Sequence, residues 1–433
     1  MRKIFPISKL REEISIPGDK SISHRSIMLG SIAEGDTVIR GFLKSADCIS
    51  TMNAFRAMGI EIDENSEDET ITVHGKGLNG LNEPSDIIDC GNSGTTTRIL
   101  SGILAGQNFE VTLTGDASIQ RRPMKRVIEP LSKMGAKLTS IKGNGCAPLR
   151  IEPSSLHGIR LKTPVASAQV KSALLLAGLY ADSPTTVTEP SLSRNHTELM
   201  LSAFGADIKS GTFDSPTAVI TPGNSLHGQE ITVPGDISSA AYFIGAGLIT
   251  PDSEILIRNV GINPTRDGLL RVFKTMNANL TILNEHEEAG EKTADILVKT
   301  STLSSCEIAG DLIPTLIDEI PLIAVVASQA EGTTVIKDAS ELKVKESNRI
   351  DLTVNNLKAM GADIEATDDG MIIHGKCELH HAKIETARDH RIAMSFAIAS
   401  LINSDVQPTD IHHAGCVNIS YPNFFRDLDA LRN

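Results

Sequence analysis

The 433-residue sequence has no tryptophan and only 3 tyrosines. With aromatics at 3%, few flat side chains are present on which nucleic-acid bases could stack. Positive charge is not in excess either: 41 Lys and Arg stand against 54 Asp and Glu, a formal net charge of -13. The broad basic surface of a nucleic-acid or acidic-membrane binder is thereby excluded, and any anion site has to be built locally. Cysteines are few and scattered. Cys48, Cys90, Cys146, Cys306, Cys377 and Cys416 include no pair at the close spacing of a zinc or redox site, which predicts free, mostly buried thiols in a reducing compartment. The paired histidines His380-His381 and His412-His413 lack a neighbouring carboxylate pattern and read as solvated loop residues, so no metal is expected. Long apolar runs are missing: Ala173 to Leu179 and Leu322 to Ala327 fall short of a membrane span. The stretch Met1 to Pro17 does not read as a signal peptide, and a cytoplasmic protein is expected.

What is present is an ordinary globular composition, 40% apolar and 22% charged, in a chain long enough for two domains. The most informative feature is internal repetition. The same ending recurs in Met58-Gly59-Ile60-Glu61-Ile62, Met134-Gly135-Ala136-Lys137-Leu138, Phe204-Gly205-Ala206-Asp207-Ile208, Met276-Asn277-Ala278-Asn279-Leu280 and Met360-Gly361-Ala362-Asp363-Ile364. Before each ending comes an apolar helix, a turn, a short β-branched strand, a polar loop and an amphipathic helix. In the first copy these parts are Ser26 to Ala33, Glu34-Gly35-Asp36, Thr37 to Ile39, Gly41 to Ala46 and Ile49 to Met58. Further apolar helices are expected to begin near Thr96, Val170, Ser238, Glu319 and Arg391. The sixth copy runs out at Leu428 to Leu431, so the N-terminal strand around Ile4 to Ile16 is expected to complete it. Matching strands precede Pro17-Gly18-Asp19 and Pro234-Gly235-Asp236. Two three-repeat domains follow, residues 1–17 with 236–433 and residues 18–235. A solenoid scaffold is the structural alternative, but its repeats would carry interchangeable polar residues at equivalent places, and these do not.

Unusual residues gather in the loops leading into the helices: Lys20-Ser21-Ile22-Ser23-His24-Arg25, Asn92-Ser93-Gly94-Thr95, Ser167-Ala168-Gln169, Asp318-Glu319 and Asp389-His390-Arg391. Loops before the second helices add Arg121-Arg122, Arg194-Asn195-His196, Arg266, and Lys345-Glu346 with Arg349. Helix N-termini present unpaired N–H groups and a partial positive charge, which with these cations predict a cationic hollow for a multiply anionic ligand. Singly, each element has a plainer reading. Ser21, Ser167 and Asp318 could be helix caps, Arg121-Arg122-Pro123 a solvated cluster, and Glu346 with Arg349 a surface pair one turn apart. The Gly91 to Thr95 loop lacks the spacing and lysine of a nucleotide-binding P-loop.

Taken together, Pro17 to Arg25, Gly91 to Thr95 with Arg98, Gln120 to Pro123, Ser167 to Gln169, Val344 to Arg349 and Asp389 to Arg391 resemble the signatures of the 5-enolpyruvylshikimate-3-phosphate synthase family. The resemblance runs essentially end to end. It implies an α/β fold, a two-domain inside-out α/β barrel in which each domain holds three βαβαββ repeats, with the active site in the cleft between the domains. It also implies transfer of the enolpyruvyl group of phosphoenolpyruvate to shikimate-3-phosphate by a monomer without metal or organic cofactor. Carried over by position, Lys20, Ser21, Arg25, Ser167, Ala168, Gln169, Arg194, Asp318 and Lys345 would hold shikimate-3-phosphate. Lys20, Gly94, Arg122, Gln169, Arg349 and Arg391 would meet phosphoenolpyruvate, and Asp318, Glu346, Lys20 and His390 would serve the proton transfers. Two positions depart from the family pattern: Ile419 stands where many members have a lysine, and Glu341 where an asparagine is frequent. The segments Gly18-Asp19-Lys20-Ser21, Ser167 to Lys171, Arg194 to Glu198 and Asn263 to Arg266 resemble the glyphosate-tolerant subgroup. The sister UDP-N-acetylglucosamine enolpyruvyl transferases and a non-catalytic anion-binding repeat protein are the alternatives.

Overall fold

The computed structural model of the chain describes residues 1–288 and 290–431. Twelve α-helices run through them: α1 (Lys20–Ile32), α2 (Ala46–Ala57), α3 (Gly94–Leu104), α4 (Lys125–Lys133), α5 (Ala168–Gly178), α6 (His196–Ala203), α7 (Ile237–Ile249), α8 (Gly268–Thr275), α9 (Ile320–Ala327), α10 (Arg349–Ala359), α11 (His390–Ala399) and α12 (Phe424–Ala430). Odd-numbered helices are buried nearly all round. The eight residues of α9, Ile-Pro-Leu-Ile-Ala-Val-Val-Ala, are all buried, as such a composition requires. Even-numbered helices cover the repeats with one apolar face; α4 buries only Val127 and Leu131.

The chain divides into two compact units. The terminal unit comprises Met1–Pro17, Pro234–His286 and the chain from Lys292 onward; the central unit comprises Gly18–Val233 together with Glu287–Glu291. Each unit has its own apolar core built on three odd-numbered helices. In the central unit α3 and α5 touch backbone to backbone: a Cβ added at Gly102 would fall 2.1 Å from the Ala173 carbonyl oxygen. Only glycine permits that approach.

Every repeat forms one small mixed sheet. In the second repeat Ile88–Asp89 lies parallel to Val111–Thr114, which pairs antiparallel with Leu149–Glu152, itself antiparallel to Lys137–Ser140. The first repeat of each unit borrows its parallel strand from far along the chain. Glu230–Thr232 pairs with Glu34–Arg40, with Glu230 opposite Val38, and Arg11–Ser15 pairs with Glu254–Gly261, with Arg11 opposite Glu254.

Three local expectations change. The first helix starts at Lys20, not near Ser26, because Asp19 caps it and accepts the Ile22 N–H at 2.9 Å. Glu34-Gly35-Asp36 belongs to the strand Glu34–Arg40, and is not a separate turn. The N-terminal segment splits: Arg2–Ile4 completes the sixth sheet, antiparallel to Thr409–Ile411, whereas Arg11–Ser15 joins the fourth. A proline at position 6 and a bend at Ser8 separate the two strands.

Candidate active site

In the central unit most of the residues singled out in the sequence sit at or near the starts of α1, α3 and α5, with Arg122 and Arg194 in loops. Lys20 opens α1, and its ammonium is ion-paired with the buried carboxylate of Asp47 in the first turn of α2. One turn on, Arg25 is buried; its Nε donates to Thr197 Oγ1 at 2.6 Å, and its two terminal nitrogens donate to the Ser21 carbonyl and to Ser172 Oγ, both at 2.9 Å. Burial lowers the Arg25 pKa to about 10, which still leaves it charged. Gly94 begins α3 directly beside the Arg122 guanidinium, to which an added Cβ would come within 3.0 Å. Arg98, buried one turn further, donates to Gln169 Oε1 at 2.7 Å and to the Pro123 carbonyl at 3.1 Å, and Gln169 Nε2 donates to Thr95 Oγ1 at 3.1 Å. One guanidinium thus ties α3, the Arg122-Pro123 loop and α5 together. Ser167 stands at the N-cap of α5, its backbone N–H held by Glu189 at 2.7 Å, and Arg194 lies half-buried in the loop before α6.

The terminal-unit cluster centres on Arg349, whose side chain is 2% exposed. It meets three carboxylates: Asp389 at 2.8 Å, Asp318 at 3.1 Å and Glu346 at 2.6 Å. Lys345 lies 3.5 Å from Asp318. Burial opposes the Arg349 charge, but Asp389, Glu346 and Asp318 outweigh it and hold its pKa above the ordinary arginine value. Asp389 also caps α11, accepting the Arg391 N–H at 2.9 Å, and accepts a hydrogen bond from the Ser347 hydroxyl at 2.8 Å. Arg391 therefore joins the cluster on a fixed helix end, with buried His390 preceding it in the first turn. Arg391 reaches Glu319 at 3.5 Å, and Glu319 is hydrogen-bonded by Ser238 Oγ, which also accepts from Arg266 at 2.7 Å.

Several plainer readings fall away on this geometry. Ser167 occupies an N-cap position without a side-chain capping bond, and Asp19, not Ser21, caps α1. Glu346 and Arg349 are one turn apart, but the arginine is buried and not on the surface. Lys20, Ser21 and Arg25 lie within α1, not in a loop. The cationic hollow expected from the sequence is, in the terminal unit, a charge-balanced cluster in which each guanidinium is already matched by acid. Three partners were not assigned site roles from sequence: Asp47, Arg98 and Asp389. Arg98 and Asp389 were already within the signature segments but without a role, whereas Asp47 is identified only by folding, 27 residues from Lys20. Ile419, partly buried, ends the short turn Ala414–Ile419, and Glu341 lies in the turn Ser340–Val344. Among the described residues no group of three or more His, Cys, Asp or Glu side chains could hold a metal ion, and no helix is long and apolar enough to cross a membrane.

Comparison with known proteins gives a consistent match. The family described as EPSP synthase (3-phosphoshikimate 1-carboxyvinyltransferase) matches residues 4–428. A Bacillus licheniformis protein named 3-phosphoshikimate 1-carboxyvinyltransferase is 54% identical over 426 residues, covering 98% of both chains. A Thermoanaerobacter relative of the same name is 55% identical over 422 residues, again covering 98% of both. Among solved structures, an EPSP synthase from Acinetobacter baumannii superposes with a TM-score of 0.87 at 44% identity, over 99% of this chain and 97% of that one. The enolpyruvyl transferase NikO from Streptomyces tendae, at 18% identity, shares the fold with a TM-score of 0.78.

Proposed function

Because the chain belongs to the EPSP synthase family, we propose that its two clusters of charged side chains are the working parts of one enolpyruvyl transfer. The fold is the two-domain α/β fold of that family. The enzyme moves the enolpyruvyl group of phosphoenolpyruvate to the 5-hydroxyl of shikimate-3-phosphate and releases phosphate, a step of the shikimate pathway toward the aromatic amino acids. The sister transferase and the non-catalytic alternative are not favoured by the family match.

One observation carries the assignment of roles: a single buried guanidinium, Arg349, holds Asp318 and Glu346 at 3.1 and 2.6 Å. Addition of a hydroxyl to an enol phosphate needs both a base and an acid, since the methylene carbon must gain a proton as the hydroxyl oxygen attacks. Asp318 takes the proton of the 5-hydroxyl. Glu346 supplies the methylene proton and later removes it as phosphate leaves, with Lys20 and His390 assigned to the same proton transfers. Arg122, Arg349 and Arg391 stabilise the charge that builds on the phosphoenolpyruvate-derived part of the intermediate. Lys20, Gly94 and Gln169 complete that half. Ser21, Arg25, Ser167, Ala168, Gln169, Arg194 and Lys345 bind shikimate-3-phosphate together with Lys20 and Asp318. No metal or organic cofactor takes part, and the protein works as a monomer in the cytoplasm.

The test is phosphate release from the substrate pair by Lys20→Ala and Arg122→Ala. Each is expected to lose on the order of a hundredfold or more in kcat/KM, the usual cost of removing a charge-stabilising contact made in the transition state. Near-normal rates in both variants would refute these roles.

A further inference from the structure

A fully buried ion cluster in the central unit is not used by the mechanism above. Lys171, on the second turn of α5, is 1% exposed, and its ammonium lies 2.9 Å from Glu189 and 2.8 Å from Glu198. It also donates to the Ser193 carbonyl at 3.2 Å. Both glutamates are buried, at 3% and 0% exposure. Withdrawing three charges from water is costly, and replacing such a cluster by apolar residues is often neutral or stabilising, so its presence is poorly explained by stability alone.

Each glutamate leads to a different limb of the site. Glu189 accepts the Ser167 backbone N–H at 2.7 Å, and its other oxygen accepts the Ser193 hydroxyl at 2.7 Å. It thereby fixes the residue from which α5 starts. Glu198 follows Thr197 in α6, and Lys171 precedes Ser172 in α5, so the Lys171–Glu198 pair runs beside the 2.7 Å hydrogen bond between Ser172 and Thr197. Those two hydroxyls are the ones that receive Arg25, at 2.9 and 2.6 Å. One ammonium therefore braces both the Ser167 limb and the Arg25 limb. Gln169, which serves both substrates, and the Pro123 carbonyl beside Arg122 are held instead by Arg98.

The geometry points to Lys171 and Glu198 as positioning residues that determine affinity for the phosphorylated alcohol substrate, acting through Ser167 and Arg25 without touching it. This inference rests on the assignment of Ser167 and Arg25 to shikimate-3-phosphate. A uniform structural support would, when weakened, affect both substrates alike; the clasp affects one.

The experiment measures KM for each substrate at saturation of the other in Lys171→Met and in the isosteric Glu198→Gln, which keeps the clasp testable if the lysine variant folds poorly. Both variants are expected to raise KM for shikimate-3-phosphate about tenfold or more, as small misplacements of binding groups do, with KM for phosphoenolpyruvate within about twofold of the parent. Equal shifts in both constants, or no shift in Glu198→Gln, would overturn the clasp while leaving the reaction assignment intact. Failure of the unmodified chain to release phosphate from the pair would overturn the assignment itself, and the clasp with it.

Discussion

At the scale of single residues, the position with the sharpest consequence is Gly94. A methyl group there would crowd the Arg122 guanidinium at 3.0 Å, so the arginine would have to yield by a few tenths of an ångström. One methyl can shift discrimination between two ligands by roughly 1–3 kcal/mol. Gly94→Ala is therefore expected to raise KM for phosphoenolpyruvate a few-fold and to weaken inhibition by glyphosate, the longer mimic, by more. The unmodified chain, with its four segments resembling the tolerant subgroup, is expected to be inhibited only weakly. Inhibition constants far below KM for phosphoenolpyruvate in the unmodified chain would contradict that expectation. The residues at the starts of the apolar helices were legible in the sequence because charge next to an apolar run is conspicuous. The pairings were not: Asp47 with Lys20, and Asp389 with Arg349, are matched only when distant segments fold together, although Asp389 itself stood in a conspicuous helix-start loop.

Elements show the opposite balance. Apolar composition located the odd-numbered helices, yet α1 begins six residues before the expected start because a capping aspartate, not hydrophobicity, decides where it starts. That helix also carries a pH response. His24 is fully buried, its Nδ1 2.7 Å from Thr51 Oγ1, and burial, followed by the nearby charges of Lys20 and Arg25, holds its pKa well below the ordinary 6.5. The unfolded chain binds a proton below about pH 6.5 that the folded chain does not, so this contribution to stability is present above that pH and lost as pH falls. The slope is at most about 1.4 kcal/mol per pH unit. Melting temperatures between pH 6.5 and 5 should fall less steeply in His24→Gln than in the parent; identical slopes would exclude the effect. A second test at this scale is Gly102→Ala, which forces α3 from α5. A loss of about 1–3 kcal/mol in urea unfolding is expected from such overpacking, and an unchanged midpoint would show that the helices can part without cost.

For the molecule as a whole, the repeats were expected from recurring endings and the chain crossings from matching strands before Pro17-Gly18-Asp19 and Pro234-Gly235-Asp236, since a repeated fold unit leaves a repeated pattern. What could not be read was which sheet each N-terminal strand joins, because strand pairing over more than 200 residues leaves no local trace. The most direct measurement is phosphate release by the purified chain with phosphoenolpyruvate alone, with added shikimate-3-phosphate, and with added UDP-N-acetylglucosamine. Release that depends on both phosphoenolpyruvate and shikimate-3-phosphate is predicted, with an enolpyruvyl ether formed in equal amount; no release with that pair, or release with the nucleotide sugar in its place, would contradict the account.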